Sequence, residues 1–322
     1  MLLDVQALSV EVLLSGRSVE ILHDVSFSLT SGEVFVLVGE SGSGKTTLAR
    51  ALSSLFPPGL GTSIHGRVEF DGSDLLTIEP RALRQIRKKQ IRYVFQEPGI
   101  ALNPALRVRS QTRFLTAQGR NGHNSTGTIR EHSFHQSLMA MGITDPEEAL
   151  DSYPHQLSVG TLQRILIAAA IAPRPRLLIA DEPTSAVDAE LRYQILDLLT
   201  RFCRKDAMSS LLITHDLEIA RRYGDRIAVL YAGRILEISR KDEFLQNPLH
   251  PYSQMLLRSL PTPTSSLDSM PSTSGSVPSL TESPSGCKFH PRCYKVQADC
   301  RKLEPELIST DNHRGVRCPY WK

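Results

Sequence analysis

The chain has 322 residues, 40% of them hydrophobic, and its 37 basic and 34 acidic residues leave a formal net charge of +3. That length buries a substantial core, and the near-balance of charge argues against a protein whose main partner is a nucleic-acid backbone. No apolar run approaches the roughly 18 residues of a membrane span, and Met1-Leu2-Leu3-Asp4 lacks the basic and apolar regions of a secretory leader, so the chain reads as cytosolic, with any membrane role exercised through a partner.

Residues 1–30 alternate apolar and polar positions (Leu8, Val10, Val12; Val19, Ile21; Val25, Phe27, Leu29) around Gly16, which predicts antiparallel strands in a half-buried sheet. Residues 34–38 predict a buried strand entering a glycine-rich loop, with a helix over 46–55 behind it. Residues 68–71 followed by Gly72 suggest another hairpin, 81–89 a basic helix and 91–95 a strand. Residues 98–156 turn helical, broken by a polar, mobile stretch at 119–127. A buried helix is expected at 165–171, strands at 177–180, 210–214 and 227–231, and helices at 189–203 and 217–223. Strands alternating with helices imply a mainly parallel sheet. Residues 261–286 are rich in Ser, Thr and Pro and read as a linker; residues 287–322 form a short cysteine-bearing module.

Gly39-Glu40-Ser41-Gly42-Ser43-Gly44-Lys45-Thr46 fits GxxxxGK[ST] between a predicted strand and a predicted helix. Such a loop curls backbone N–H groups around phosphate oxygens, and the helix N-terminus adds its positive dipole end. Lys45 is expected to reach the β- and γ-phosphates, Thr46 to ligate Mg²⁺ and Thr47 to donate to the α-phosphate. The apolar strand 177–180 ends in Asp181-Glu182; Asp181 suits Mg²⁺ and Glu182 suits polarising the attacking water. Gln96 follows one predicted strand and His215 ends another, at the sheet edge where ligands gather in such folds. Gln96 is the candidate to touch Mg²⁺ and the water, and His215 the γ-phosphate.

Between these lies Leu157-Ser158-Val159-Gly160-Thr161-Leu162-Gln163-Arg164, an LSGGQ-like turn opening a helix. In this order the motifs resemble an ATP-binding cassette ATPase over about residues 1–260, with a helical subdomain at about 97–165. The resemblance implies an α/β P-loop NTPase core with an antiparallel β subdomain and a helical subdomain, followed by the C-terminal cysteine-containing extension. Gln96-Glu97-Pro98, Ala101-Leu102-Asn103-Pro104 and His250-Pro251-Tyr252 before a cysteine tail resemble the oligopeptide, dipeptide and nickel importer branch. The branch implies an ATP-hydrolysing subunit on the cytoplasmic face of the membrane. Its two transmembrane permease subunits dock near residues 97–108, from Glu97 to Val108, and an extracytoplasmic solute-binding protein acts indirectly. Peptides, nickel and other metal chelates are the implied cargoes. A hydrolysis-poor regulatory cassette and a soluble cassette ATPase outside transport are the alternative readings.

The family places Ser158 and Gly160 against the γ-phosphate held by the other cassette of a head-to-tail pair. Val159 stands where glycine is expected, and a positive φ there would cost a β-branched residue about 1–3 kcal/mol; Thr161 replaces glutamine. Adenine stacking falls on Val12 rather than an aromatic ring. The intact Lys45, Thr46, Gln96, Asp181, Glu182 and His215, set beside an altered signature, imply an asymmetric heterodimer with a second, different cassette.

Cys287, Cys293, Cys300 and Cys318 cluster in the tail, whereas Cys203 falls on a predicted helix and reads as core. Four thiolates in a reducing compartment suit Zn²⁺ or an iron–sulfur cluster. The spacing lacks the close pairs of zinc knuckles, and the resemblance implies a [4Fe–4S] cluster. His290 and His313 read as solvated tail residues.

Overall fold

A computed structural model describes residues 1–14, 16–56, 59–116, 127–260, 276–279, 283–311 and 314–322. Residues 119–126 of the polar stretch expected at 119–127, most of the 261–286 linker and His313 lie outside the described residues, and Gly127 itself opens a helix.

The elements begin with strands β1 (Leu3–Leu14), β2 (Arg17–Leu29) and β3 (Val34–Val38), then helix α1 (Lys45–Ser53), strands β4 (Thr62–Phe70) and β5 (Ser73–Asp74), helix α2 (Pro80–Lys89) and strand β6 (Ile91–Val94). Helices α3 (Pro98–Ala101), α4 (Val108–Thr116), α5 (Gly127–Ala140), α6 (Pro146–Asp151) and α7 (Val159–Ile171) follow, then strand β7 (Leu177–Asp181), helix α8 (Ala189–Asp206) and strand β8 (Ser209–Thr214). The rest comprises α9 (Leu217–Tyr223), β9 (Arg226–Tyr231), β10 (Arg234–Arg240), α10 (Lys241–Gln246), α11 (Pro251–Arg258), β11 (Ile308–Asp311) and β12 (Arg314–Val316).

The chain divides into two compact units. The first gathers Met1–Leu29, Phe35–Leu76 and Thr214–Lys322. One of its sheets is antiparallel, ordered β2-β1-β4-β5, with Val12 opposite Val19 on one side and Thr62 on the other. The alternation seen in the sequence is the physical cause: Val5, Leu8, Val10 and Val12 are buried while Gln6 and Leu13 face out. The Asp71-Gly72 turn joins β4 to β5 with both residues at positive φ, the geometry of a two-residue hairpin. In the same unit β3 runs parallel to β9, β10 lies antiparallel to β9, and the tail hairpin β11–β12 adds itself to β10 through Glu237↔Val316. The cysteine-bearing tail is thus part of this unit's sheet.

The second unit, Thr30–Val34 with Thr77–Ile213, holds the parallel strands β6, β7 and β8 and the helices α2 to α8. Every residue of β7 and β8 is buried, as continuous apolar runs in parallel strands require. Helices α4 and α5 pack on α7, whose buried residues include Leu162, Ile165 and Ile167. That packing forms a cluster of helices within this unit. Among the described residues no helix is long and apolar enough to cross a membrane.

Candidate functional site

The phosphate loop leaves β3 and closes at α1, as the motif requires. Gly44 is the N-cap of α1 at φ +103, a conformation that side chains rarely adopt. Lys45 is buried, and its Nζ donates to the carbonyls of Gly39 at 2.7 Å and Glu40 at 2.9 Å. The ammonium therefore rests on its own loop. Ser43 is fully buried, Thr46 and Thr47 are half-buried at the helix start, and Ser41 and Gly42 are exposed. Val12 is only 3% exposed within β1, and its neighbour Leu13 is 54% exposed.

His250-Pro251-Tyr252 turns out to serve this loop. The Nδ1 of His250 caps α11 by accepting from the Tyr252 N–H at 3.0 Å, and Pro251 opens the helix. The Tyr252 hydroxyl then accepts from the Glu40 N–H at 3.4 Å. Burial pushes the His250 imidazole down to about 3 and raises the Tyr252 phenol, so both are neutral at physiological pH. The sequence marked this triplet only as a family label. Its contact with a loop 212 residues away had no local signal.

In the second unit Asp181 ends β7 at 2% exposure and accepts from the Tyr93 hydroxyl at 3.1 Å. Glu182 follows at φ +46, and its N–H donates to the Ile213 carbonyl at 3.0 Å. A non-glycine residue in the left-handed region costs of order 1–3 kcal/mol; the motif located Glu182, and this conformation was not visible in it. Gln96 is exposed just past β6, and the buried Gln163 of α7 donates to the neighbouring Phe95 carbonyl at 3.3 Å. His215 is exposed between the end of β8 and Asp216, the N-cap of α9.

Ser158 caps α7, its Oγ accepting from the Thr161 N–H at 3.1 Å. Val159 is the first residue of that helix, absent from the positive-φ residues, and 56% exposed. The strain expected for a positive φ at Val159 does not arise, because the turn is helical there and valine fits it. What the substitution changes is the surface. Gly160 is the constrained position: a Cβ there would stand 2.9 Å from the Ala186 carbonyl oxygen. Arg164 stabilises the turn, donating to the carbonyl of Gly142 at 2.9 Å and to Thr161 Oγ1 at 3.2 Å.

Residues 97–108 are mostly exposed, including Ile100 at 80% and Leu106 at 48%, with Pro98, Leu102 and Val108 buried as anchors. Gln111 fixes the loop by accepting from the Asn103 N–H at 2.8 Å and donating to the Leu106 carbonyl at 2.9 Å.

In the tail, Cys287, Cys293, Cys300 and Cys318 line one cavity of about 380 Å³, with Phe289 and His290 among its walls. Burial raises the thiols of Cys287, Cys293 and Cys318, the last to about 11. Backbone N–H groups meet the sulfurs: Phe289 and His290 at Cys287, Lys295 at Cys293, Gln297 at Cys300 and Tyr320 at Cys318. Among the described residues no group of three or more His, Cys, Asp or Glu is placed to hold a metal ion. His290 Nδ1 lies 2.9 Å from the Cys287 carbonyl. Cys203 is buried in α8, as expected of a core residue.

Residues 22–185 match the family described as ABC transporter, and residues 236–300 match the oligopeptide/dipeptide transporter C-terminal region. The chain is 40% identical to the dipeptide transport ATP-binding protein DppD of Haemophilus influenzae, covering 98% of this chain and 94% of that one. It is 34% identical to the oligopeptide transport ATP-binding protein AppD of Bacillus subtilis, covering 98% and 96%. Among solved structures, the dimeric ATP-binding cassette MJ0796, bound to ADP and Pi in a post-hydrolysis state, aligns with a TM-score of 0.65. That match has 27% identity and covers 74% of this chain and 98% of that one. The fold is therefore the α/β P-loop NTPase cassette with its antiparallel β and helical subdomains, and the chain belongs to the ABC transporter family as an ATPase carrying the C-terminal region of its oligopeptide/dipeptide members.

Proposed function

We propose that the chain is the ATP-hydrolysing subunit of a peptide importer, acting on the cytoplasmic face of the membrane in an asymmetric pair with a second cassette. The names of its relatives support peptides over nickel or metal chelates as cargo. Two permease subunits would dock on residues 97–108, where Ile100 and Leu106 present apolar surface on a loop already fixed by Gln111. An extracytoplasmic binding protein delivers the cargo to those permeases.

In this reading Lys45 leaves the Gly39 and Glu40 carbonyls for the β- and γ-phosphates, and the loop N–H groups from Gly39 to Gly44 hold the phosphate oxygens. Thr47 takes the α-phosphate and His215 the γ-phosphate, while adenine lies toward the Val12 end of β1. Thr46, Gln96 and Asp181 offer hydroxyl, amide and carboxylate oxygens, a donor set that suits the hard Mg²⁺ ion. Glu182 polarises the attacking water. Ser158 and Gly160 face the nucleotide of the other cassette.

The observation that carries the asymmetry is Val159. Its side chain is exposed at the first turn of α7, beside the N–H groups offered to the other cassette. We propose that the site completed by this turn turns over slowly and that the site using Glu182 is the working one. The test is Glu182→Gln in the reconstituted complex, with loss of most ATPase activity expected. A complex that keeps most of its activity would reject the assignment, and would favour the hydrolysis-poor regulatory reading.

We propose that the tail takes an iron–sulfur cluster rather than a single ion, although its cysteines line one cavity without being gathered into a ligating group. Four sulfurs around one cavity, each met by a backbone N–H, are the surroundings such clusters use. Cys287, Cys293, Cys300 and Cys318 would hold it. When bound, such a cluster supplies a cross-link between chain segments and a one-electron redox couple.

A further inference from the structure

Glu40 places a carboxylate inside the loop that is to receive a triphosphate, and its surroundings answer that charge. Its N–H donates to Tyr252 at 3.4 Å, and its carbonyl accepts from Lys45 Nζ at 2.9 Å and from the Ser43 N–H at 3.2 Å. Its carboxylate is held by Arg292, with Nη2 to Oε1 at 3.0 Å and Nη1 donating to Oε2 at 3.2 Å. The Arg292 side chain is only 5% exposed. Its guanidinium lies over the Tyr231 ring at 5.6 Å and the Phe289 ring at 6.0 Å, and Nη1 donates to the Tyr231 hydroxyl at 3.4 Å. A charge so fully desolvated belongs where it has a fixed partner.

Arg292 is also the last residue of the short turn His290–Arg292, with Cys293 next in the chain and Cys287 three residues before the turn begins. Both cysteines line the tail cavity. The group that answers Glu40 is therefore carried by the four-cysteine module, 252 residues further along the chain.

We infer that Arg292 is a positioning residue of the nucleotide site: by neutralising the Glu40 carboxylate within the loop, it lets the four-cysteine module set how tightly the phosphate loop takes a nucleoside triphosphate. Without the guanidinium, the Glu40 carboxylate keeps the Tyr252 hydroxyl as a partner but loses its counter-charge, and its negative charge opposes the incoming phosphates. A change in the cysteine cavity acts on ATP affinity through Arg292, with Phe289 packed on Tyr252 beside it. The inference rests on the assignment of the loop as the ATP site.

The experiment measures equilibrium binding of a fluorescent ATP analogue to the full-length chain, with ATPase kinetics of the assembled complex alongside. Arg292→Ala is expected to weaken binding about tenfold, near 1.4 kcal/mol, raising KM for ATP more than it lowers kcat. Adding Glu40→Gln to Arg292→Ala removes the unanswered charge and is expected to recover affinity to within about threefold of wild type. Loss of packing on Tyr231 and Phe289 is common to both variants, so a merely structural role predicts a double variant as weak as the single one. That result overturns the inference, as does an Arg292→Ala variant that binds as wild type does. Arg292→Lys keeps the charge and is expected to fall between wild type and alanine; a lysine variant no better than alanine counts against neutralisation. If the alanine variant is unstable, Arg292→Gln in the same two backgrounds makes the same comparison. Lys45→Ala separates the two levels: if it binds ATP as wild type does, the loop assignment itself fails, whatever Arg292 does.

Discussion

Val159 and Gly160 are neighbours in one turn, yet they constrain the protein in different ways. Valine sits in ordinary helical backbone, so Val159→Gly relieves nothing and is expected to shift stability by no more than about 1 kcal/mol, through the poorer helix propensity of glycine. Its effect should be functional. With Glu182→Gln present in this chain, residual ATPase comes from the opposite site, and Val159→Gly should raise that residue of activity severalfold. An unchanged residual rate would show that the valine side chain is not the obstacle. Gly160 is held by space: the Cβ of Gly160→Ala would stand 2.9 Å from the Ala186 oxygen, and backbone must move to admit it. Overpacking of this kind costs about 1–3 kcal/mol, so a lower thermal midpoint and reduced ATPase are expected together. A variant as stable and active as wild type would mean that the loop holding Ala186 yields freely. The sequence flagged both positions because the motif has glycines there. It misjudged Val159 because a motif records which residue is usual and not the φ it adopts.

At the scale of elements, long apolar runs were the legible part. Residues 34–38 and 217–223 were expected as the strand and helix that the structure shows, and β7, β8 and β9 extend the expected strands by a residue or less. Strand β10 was not anticipated, because Arg234 and Glu237 break its pattern although both are buried. Their partners come from elsewhere. Glu237 accepts from the N–H groups of Leu249 at 2.9 Å and His250 at 2.8 Å, and Arg234 pairs with Glu304 of the tail. The same junction makes α11 sensitive to acid. His250 is buried with its pKa pushed down to about 3, against about 6.5 in the unfolded chain. Between those values the unfolded chain binds a proton that the native chain refuses, so stability falls as pH drops from about 6.5 towards 3, by up to about 1.4 kcal/mol per pH unit. Burial raises the Glu237 carboxyl, which favours the native state on acidification and works in the opposite direction, and Arg314 lies 3.6 Å from it. Asparagine at position 250 keeps an N-cap acceptor and removes the titration. His250→Asn should therefore lose less denaturation midpoint than wild type between pH 7 and pH 4.5. Equal losses would place the acid sensitivity elsewhere.

For the whole chain, composition marked residues 287–322 as a separate module, whereas their contacts place them in the same compact unit as the phosphate loop. No local pattern could have shown this, because the ties are single side chains. Arg317 is 4% exposed at its side chain and bonds the Ile235 carbonyl at 3.1 Å and Asp24 Oδ2 at 3.0 Å. Arg292 grips Glu40, and the β11–β12 hairpin is too short to display an alternation. A tail built into the unit in this way should transmit its own loss to the whole. The full-length protein is expected to be brown as purified, with about four irons per chain and matching sulfide. Cys318→Ser should lower iron content, the thermal midpoint and, through the turn that carries Arg292, the affinity for ATP. Removal of iron by a chelator should reproduce all three changes in the wild-type chain, because metal binding and folding share one free energy. Zinc as the sole metal would reject the cluster while leaving the Arg292–Glu40 link standing. Iron loss with the midpoint and ATP affinity unmoved would mean that the cysteine cavity and the phosphate loop, although joined by contacts, are not joined in energy.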